Sequence, residues 1–383
     1  MKRMCVSLLL VLWCLAAMPV QASEITEEED VSQEEIEDQL LDMFDFSEID
    51  DVLKEIFPDE KLSFTEILSQ IISGELELSW DTILGVLKDQ FLYNYKTNKS
   101  MIVHILLIAI VAAVFTNFSS AFRSKQISEI SFYILYLLLI TICLNSFRVV
   151  MESVTASVDQ ITLFMKVLCP IYFVAVAIAK GSVTAVGFYT LVLILIGVVE
   201  MVILNVLLPL VHIYIMIKVL NFLSTEDYFS KFAELLETII SWSLKTILAF
   251  VIGLNVIQGL ISPAIDSVKR SVVTKGAEAI PVIGDAIGGV AEVVLGTAVL
   301  LKNGIGIVGA VICIGICAVP LIEMVLMSLF YKMIAAVIQP ISDKRIVGCV
   351  SSVAEGCQML VRIQFTVGML FMLTIAVVAA STS

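Results

Sequence analysis

The chain has 383 residues, 59% of them hydrophobic and 16% charged, with mean hydropathy +1.00 and net charge −14. That composition excludes an ordinary soluble domain, a disordered chain and, for want of a basic groove, a nucleic-acid binder. The charge is local: residues 23–99 carry 22 of the 37 acidic side chains against Lys54, Lys61, Lys88, Lys96 and Lys99, a net −17, which leaves about +3 for the rest.

In chain order, Lys2 and Arg3 precede an apolar run from Val6 to Ala17 and a small-residue site at Val20-Gln21-Ala22, the pattern of a secretory signal peptide over residues 1–22. The segment 23–99 is then translocated, an acidic extracytoplasmic region of three or four small amphipathic helices. Apolar residues recur at helical spacing in Ile36-Leu40-Leu41-Phe44, Ile67-Leu68-Ile71-Ile72 and Ile83-Leu84-Leu87-Phe91. Ser32 with Glu35 and Ser63 with Glu66 read as capping boxes, and Pro58 and Gly74 as breaks. Mutual repulsion of the carboxylates predicts that these helices pack against the bundle or a partner.

Residues 100–383 form the polytopic membrane domain. A helix needs about 20 apolar residues to cross a bilayer, and spans are expected near 101–122, 130–148, 162–180, 240–262, 304–320, 321–341 and 363–381. The stretch 182–223 is too long for one simple span, and Asn205 and Pro209 at its middle allow a kinked helix, a re-entrant turn or two joined helices. Counting it as one crossing puts Arg123, Lys125, Lys180, Lys269, Arg270, Lys275, Lys302, Lys344, Arg345 and Arg362 inside, and only Arg148 and Lys231 outside. The positive-inside rule therefore favours eight crossings with both termini outside. The expected fold class is all-α, a polytopic helical membrane bundle of about eight spans with a small acidic helical extracytoplasmic segment.

Nine of the 19 glycines fall between Gly276 and Gly315. Small residues at Gly284, Gly288 and Gly296 favour close helix contact, while Glu278, Asp285 and Glu292, seven apart, share one helical face. Residues 276–303 read as a Gly-rich amphipathic or re-entrant element, opened by Pro281 near a helix start and, after Lys302 ends its apolar run, closed at Asn303-Gly304. One account makes these glycines packing positions and lets the acids face water; the other makes the element the lining or gate of a passage.

Ionisable groups at membrane depth are functional candidates because burying a charge there is costly. Glu200, near Asn205 and His212, is the foremost, with Lys218 its expected partner across a hairpin; Glu323 and Lys332 form a second set. With His104 and His212 the only histidines, and no HExxH, GxSxG, phosphate-loop or CxxC pattern, neither enzymatic activity, a metal nor a cofactor is expected. Cys313 and Cys317 read as packing residues.

The signal peptide, the acidic exported helices and above all Lys275-Gly276-Ala277-Glu278, Pro281-Val282-Ile283-Gly284, Val293-Val294-Leu295-Gly296 and Leu301-Lys302-Asn303-Gly304-Ile305-Gly306 resemble the stage III sporulation protein AE family of endospore-forming Firmicutes, over essentially the full length. The resemblance implies a component of the mother-cell (outer forespore) membrane within a transenvelope channel, or feeding apparatus, that joins mother cell and forespore and is required for late forespore development. It implies as partners the bilayer, other stage III proteins of the same complex and further copies of the chain. It transfers no catalytic residue. The competing expectation is a secondary transporter for small solutes, its midplane site around Glu200 and the Asn205/Pro209 break.

Overall fold

The computed structural model describes residues 44–57, 63–73, 125–180, 184–223, 227–277 and 284–381, with scattered positions between 88 and 114; from 258 to 295 the description is of backbone alone. The signal peptide, the first expected span and the boxes and breaks at Ser32, Pro58 and Gly74 lie outside the described residues or largely so.

Two short helices come from the acidic segment. α1 (Ser47–Ile56) buries Ile49, Val52 and Leu53, three and four residues apart, and turns Glu48, Asp51 and Glu55 outward. α2 (Phe64–Ile72) begins where the Ser63 box predicts, but its end is satisfied differently. Ser63 makes no side-chain cap; the Asp50 carboxylate of α1 accepts the Phe64 N–H at 2.6 Å and the Ser63 hydroxyl at 3.4 Å. Phe46 stacks on Phe64 with centroids 5.1 Å apart, so the hairpin is joined by a polar cap and an aromatic pair.

The remainder is built from long helices: α3 (Lys125–Lys180), α4 (Thr184–Val202), a π-helical turn (Ile203–Leu207), α5 (Leu208–Asn221), α6 (Ser230–Ala277), α7 (Gly284–Ile338) and α8 (Lys344–Ser381). Within α3, α7 and α8, five stretches of the described residues are long and apolar enough to cross a membrane when those of α4–α5 and α6 are added: 132–179, 189–221, 230–254, 296–338 and 344–376. The expected pair 130–148 and 162–180 is one uninterrupted helix, and so is the pair 304–320 and 321–341. Both supposed turns are thereby corrected. Arg148 is not a loop charge; it bonds Glu152 one turn on along α3 at 2.8 Å. Pro320 does not end a helix either. Its missing N–H would have served the Ile316 carbonyl, and that oxygen instead accepts the Ser157 hydroxyl of α3 at 3.4 Å.

Contacts fix the directions. Ser153 meets Glu323, and Tyr172 lies against Gly306, so α3 and α7 are antiparallel. Ser328 donates to the Ala354 carbonyl and Cys317 lies against Gly368, so α8 returns beside α7. α4 and α5 run back along α3, from Tyr189 at Phe173 to Val219, whose carbonyl accepts the Tyr136 hydroxyl at 2.9 Å. α8 packs against α3, α5, α6 and α7 and is the centre of the bundle. At the turn between α7 and α8, Asp343 caps α8 by accepting the Arg345 N–H at 2.9 Å, while the Arg345 guanidinium lies 3.7 Å over the Phe132 ring of α3.

Candidate functional site

The glycines of α7 are contact positions. A Cβ on Gly304 would stand 2.8 Å from Leu68 Cδ1 and 3.2 Å from Ile72 Cγ1, both on α2. One on Gly309 would stand 2.6 Å from Leu168 Cδ2, and one on Gly306 2.8 Å from the Tyr172 hydroxyl, both on α3. α7 therefore uses one set of missing side chains to seat the acidic hairpin and another to approach α3 closely. Gly296 meets nothing within 4 Å among the described residues.

This overturns the expected closure of the Gly-rich element at Asn303-Gly304. Lys302, Asn303 and Gly304 are all inside α7, which runs unbroken from Gly284 to Ile338, and Lys302 is fully buried rather than a loop charge. α2 lies against Gly304, two residues along α7 from Lys302. Gly284, Asp285, Gly288 and Glu292 lie on the helical backbone of α7, and Glu278 and Pro281 lie outside the described residues, as do the side chains of Asp285 and Glu292.

The intramembrane polar residues find other partners than expected. Glu200 and Lys218 are about 27 Å apart along a nearly continuous helix and do not pair. Glu200 accepts a bond from Lys166 of α3 at 2.8 Å, and Lys218 bonds Glu355 of α8, which the Tyr214 hydroxyl also reaches at 3.4 Å. Both partners are far away in sequence. The Asn205/Pro209 feature is neither a turn nor a re-entrant loop: Asn205 is an exposed residue of the π turn, and Pro209 is the second residue of α5, directly after that turn, so the bulge and the missing N–H fall together. Glu323 accepts the Ser153 hydroxyl at 2.7 Å, while Lys332 is exposed nine residues on.

A polar ladder, half-buried at Glu323 and Ser153 and fully buried at Ser157 and Gln364, therefore crosses the three central helices, and it was not apparent in the sequence. It runs from Glu323 to Ser153, one turn along α3 to Ser157, and from there to the Gln364 amide of α8, which donates to Ser157 at 2.7 Å. Ser157 and Gln364 are buried to 1% and 0% exposure among Val154, Val158 and Ile161, so the ladder fixes register in an otherwise apolar seam. Cys313 and Cys317 are buried free thiols, and no group of three metal-ligating side chains occurs among the described residues.

The chain thus has helices suited to a membrane, a docked acidic hairpin and a Gly-notched central rod. The sequence profile described as Stage III sporulation protein AE matches residues 62–382. Stage III sporulation protein AE of Bacillus subtilis (strain 168) is 25% identical over 312 residues, 81% of this chain and 78% of that protein. No solved structure gives a significant match. The chain belongs to the stage III sporulation protein AE family, as a multi-pass membrane protein of the sporulation machinery.

Proposed function

We propose that the protein is the non-enzymatic membrane platform of a transenvelope channel between mother cell and forespore, set in the mother-cell membrane with its acidic N-terminal segment on the extracytoplasmic side. The observation that carries this reading is the seating of α1 and α2. Ile49, Leu53, Phe64 and Leu68 are fully buried against the bundle, and Glu48, Asp51, Glu55 and Glu66 are left facing outward. A rigidly docked, charged surface on a membrane bundle suits the recruitment of other stage III proteins of the same complex. The transporter reading has less support, because Glu200 is neutralised by Lys166 and the helix beside it is bulged rather than broken.

The test is isolation of the complex from sporulating cells, with crosslinkers placed on the exposed faces of α1 and α2. Crosslinks to other stage III proteins support the platform. Solute flux in liposomes holding the purified chain alone, with no partner recovered from cells, would establish the transporter instead.

A further inference from the structure

The oxygen atoms of the polar ladder gather around the gap that Pro320 leaves in α7. Ile316 and Glu323 are seven residues apart and so share a helical face. The Ile316 carbonyl points along the helix towards its C-terminus, while the Glu323 side chain leans back towards the N-terminus. Residue 320 has no N–H to place between them, so two acceptors face each other across less than two turns.

α3 lines the same gap. Ser153 donates to Glu323 Oε2 at 2.7 Å, and Ser157, one turn on, donates to the Ile316 carbonyl at 3.4 Å. The second distance is long for a hydroxyl donor, whose usual separation is about 2.7–2.8 Å, so the carbonyl is poorly satisfied. α8 adds Gln364. The single Ser157 proton is committed to Ile316, so the hydroxyl accepts from the Gln364 amide N–H at 2.7 Å, which fixes Oε1 as the other arm of the amide. That oxygen is wholly buried and has no hydrogen-bond partner among the described residues.

The gap therefore holds more acceptors than protons, and a negative charge besides. Among the described residues no cation pairs with Glu323: Arg148 of α3 bonds Glu152, Lys332 lies nine residues along α7, and Arg362 of α8 is exposed. A half-buried carboxylate at membrane depth without a counter-charge is costly, and so is a buried carbonyl without a donor. Water would satisfy Gln364 but leave the charge. A divalent cation calls for several carboxylates, and the gap has one. Neutral hard oxygens around a single carboxylate, beside an interrupted helix, suit a monovalent cation.

We infer that Glu323, the Ser153 and Ser157 hydroxyls, the Ile316 carbonyl and Gln364 Oε1 bind one alkali cation, Na⁺ or K⁺, which ties α3, α7 and α8 together at Pro320. Glu323 and Ser153 are half-buried and the other three are buried, so the ion enters from the Glu323 side. The site does not depend on the platform role.

The experiment uses the full chain, purified in detergent, in equilibrium dialysis against radiolabelled sodium or rubidium, the latter standing for potassium. Choline holds the ionic strength constant. One of the two ions should bind saturably, one per chain, and raise the melting temperature relative to choline. Glu323→Gln keeps an acceptor for Ser153 but removes the charge, and Ser153→Ala removes an oxygen but keeps the charge; each should weaken binding by about tenfold or more. Glu152→Gln, one residue away on the outer face, should bind as the parent does. Saturable binding of neither ion to the folded parent overturns the inference, as does full binding by both Glu323→Gln and Ser153→Ala, or an equal loss in Glu152→Gln.

Discussion

Replacing Ser157 by alanine tests how a proline is carried in the middle of α7. Ser157 holds two buried groups: it donates to the Ile316 carbonyl at 3.4 Å and accepts the Gln364 amide at 2.7 Å. The Ile316 carbonyl has no helical donor because residue 320 is proline, and Gln364 is wholly buried. Ser157→Ala leaves both without their partner, and at about 1–3 kcal/mol for each unsatisfied buried group, less relaxation, the expected cost is about 2–4 kcal/mol. Pro320→Ala restores the N–H that Ile316 lacks. In the Ser157→Ala background it should therefore recover about 1–2 kcal/mol more than it contributes in the parent. Reversible unfolding in mixed detergent micelles, on all four corners of the cycle, gives the coupling. Additivity within about 0.5 kcal/mol would refute the account of Pro320.

Leu68→Ala, which empties a fully buried site opposite Gly304, should cost the docked hairpin about 2–4 kcal/mol by native-state proteolysis of the α1–α2 region, and Gly304→Ala should be harmful alone yet neutral or favourable beside it. Lys218→Met leaves Glu355 of α8 without its cation and should cost about 2 kcal/mol in thermal unfolding, discounted because Glu355 is partly exposed, whereas Lys218→Met with Glu355→Gln should recover most of it. At Asp343, burial pushes the carboxyl up, but the hydrogen bonds from Arg345 outweigh it and hold the group below the usual carboxylate range. A lowered carboxyl stabilises in its ionised form, so this contribution is complete above about pH 4 and lost as pH falls through the lowered value. Melting of the parent and Asp343→Asn should differ by about 1 kcal/mol at neutral pH and converge in acid.

The all-helical architecture was legible because period and composition are local properties. So was the start of α2: Ser63 followed by Phe64 and Leu68 at helical spacing is enough to mark it. The partners were not legible. Lys166 with Glu200 and Lys218 with Glu355 join residues 34 and 137 apart, and Asp50 takes over the capping expected of Ser63. Gly304 shows the same limit from the other direction. Beside Asn303 it carries the chemistry of a helix end, yet what determines its role is Leu68, more than 200 residues earlier.

Among the described residues, seven of the eight expected crossings became five long stretches for a reason that hydropathy cannot express. A helix is apolar all round either because lipid surrounds it or because other helices do. The apolar window of α8 is 67% buried by its neighbours, and those of α3 and α7 56%, whereas that of α6 is 22% buried. Much of the hydrophobicity of α3, α7 and α8 thus answers to the core of the bundle, which permits apolar rods far longer than a bilayer is thick. α6, with Trp242, Phe250, Val256 and Ile257 exposed, has the outward apolar face that lipid demands. Counting crossings by apolar length splits buried rods at the first charge or proline, and Arg148 and Pro320 are where the division went wrong. Those residues are instead where the bundle had to provide something specific: an ion pair on an outer face, and a serine hydroxyl for an orphaned carbonyl.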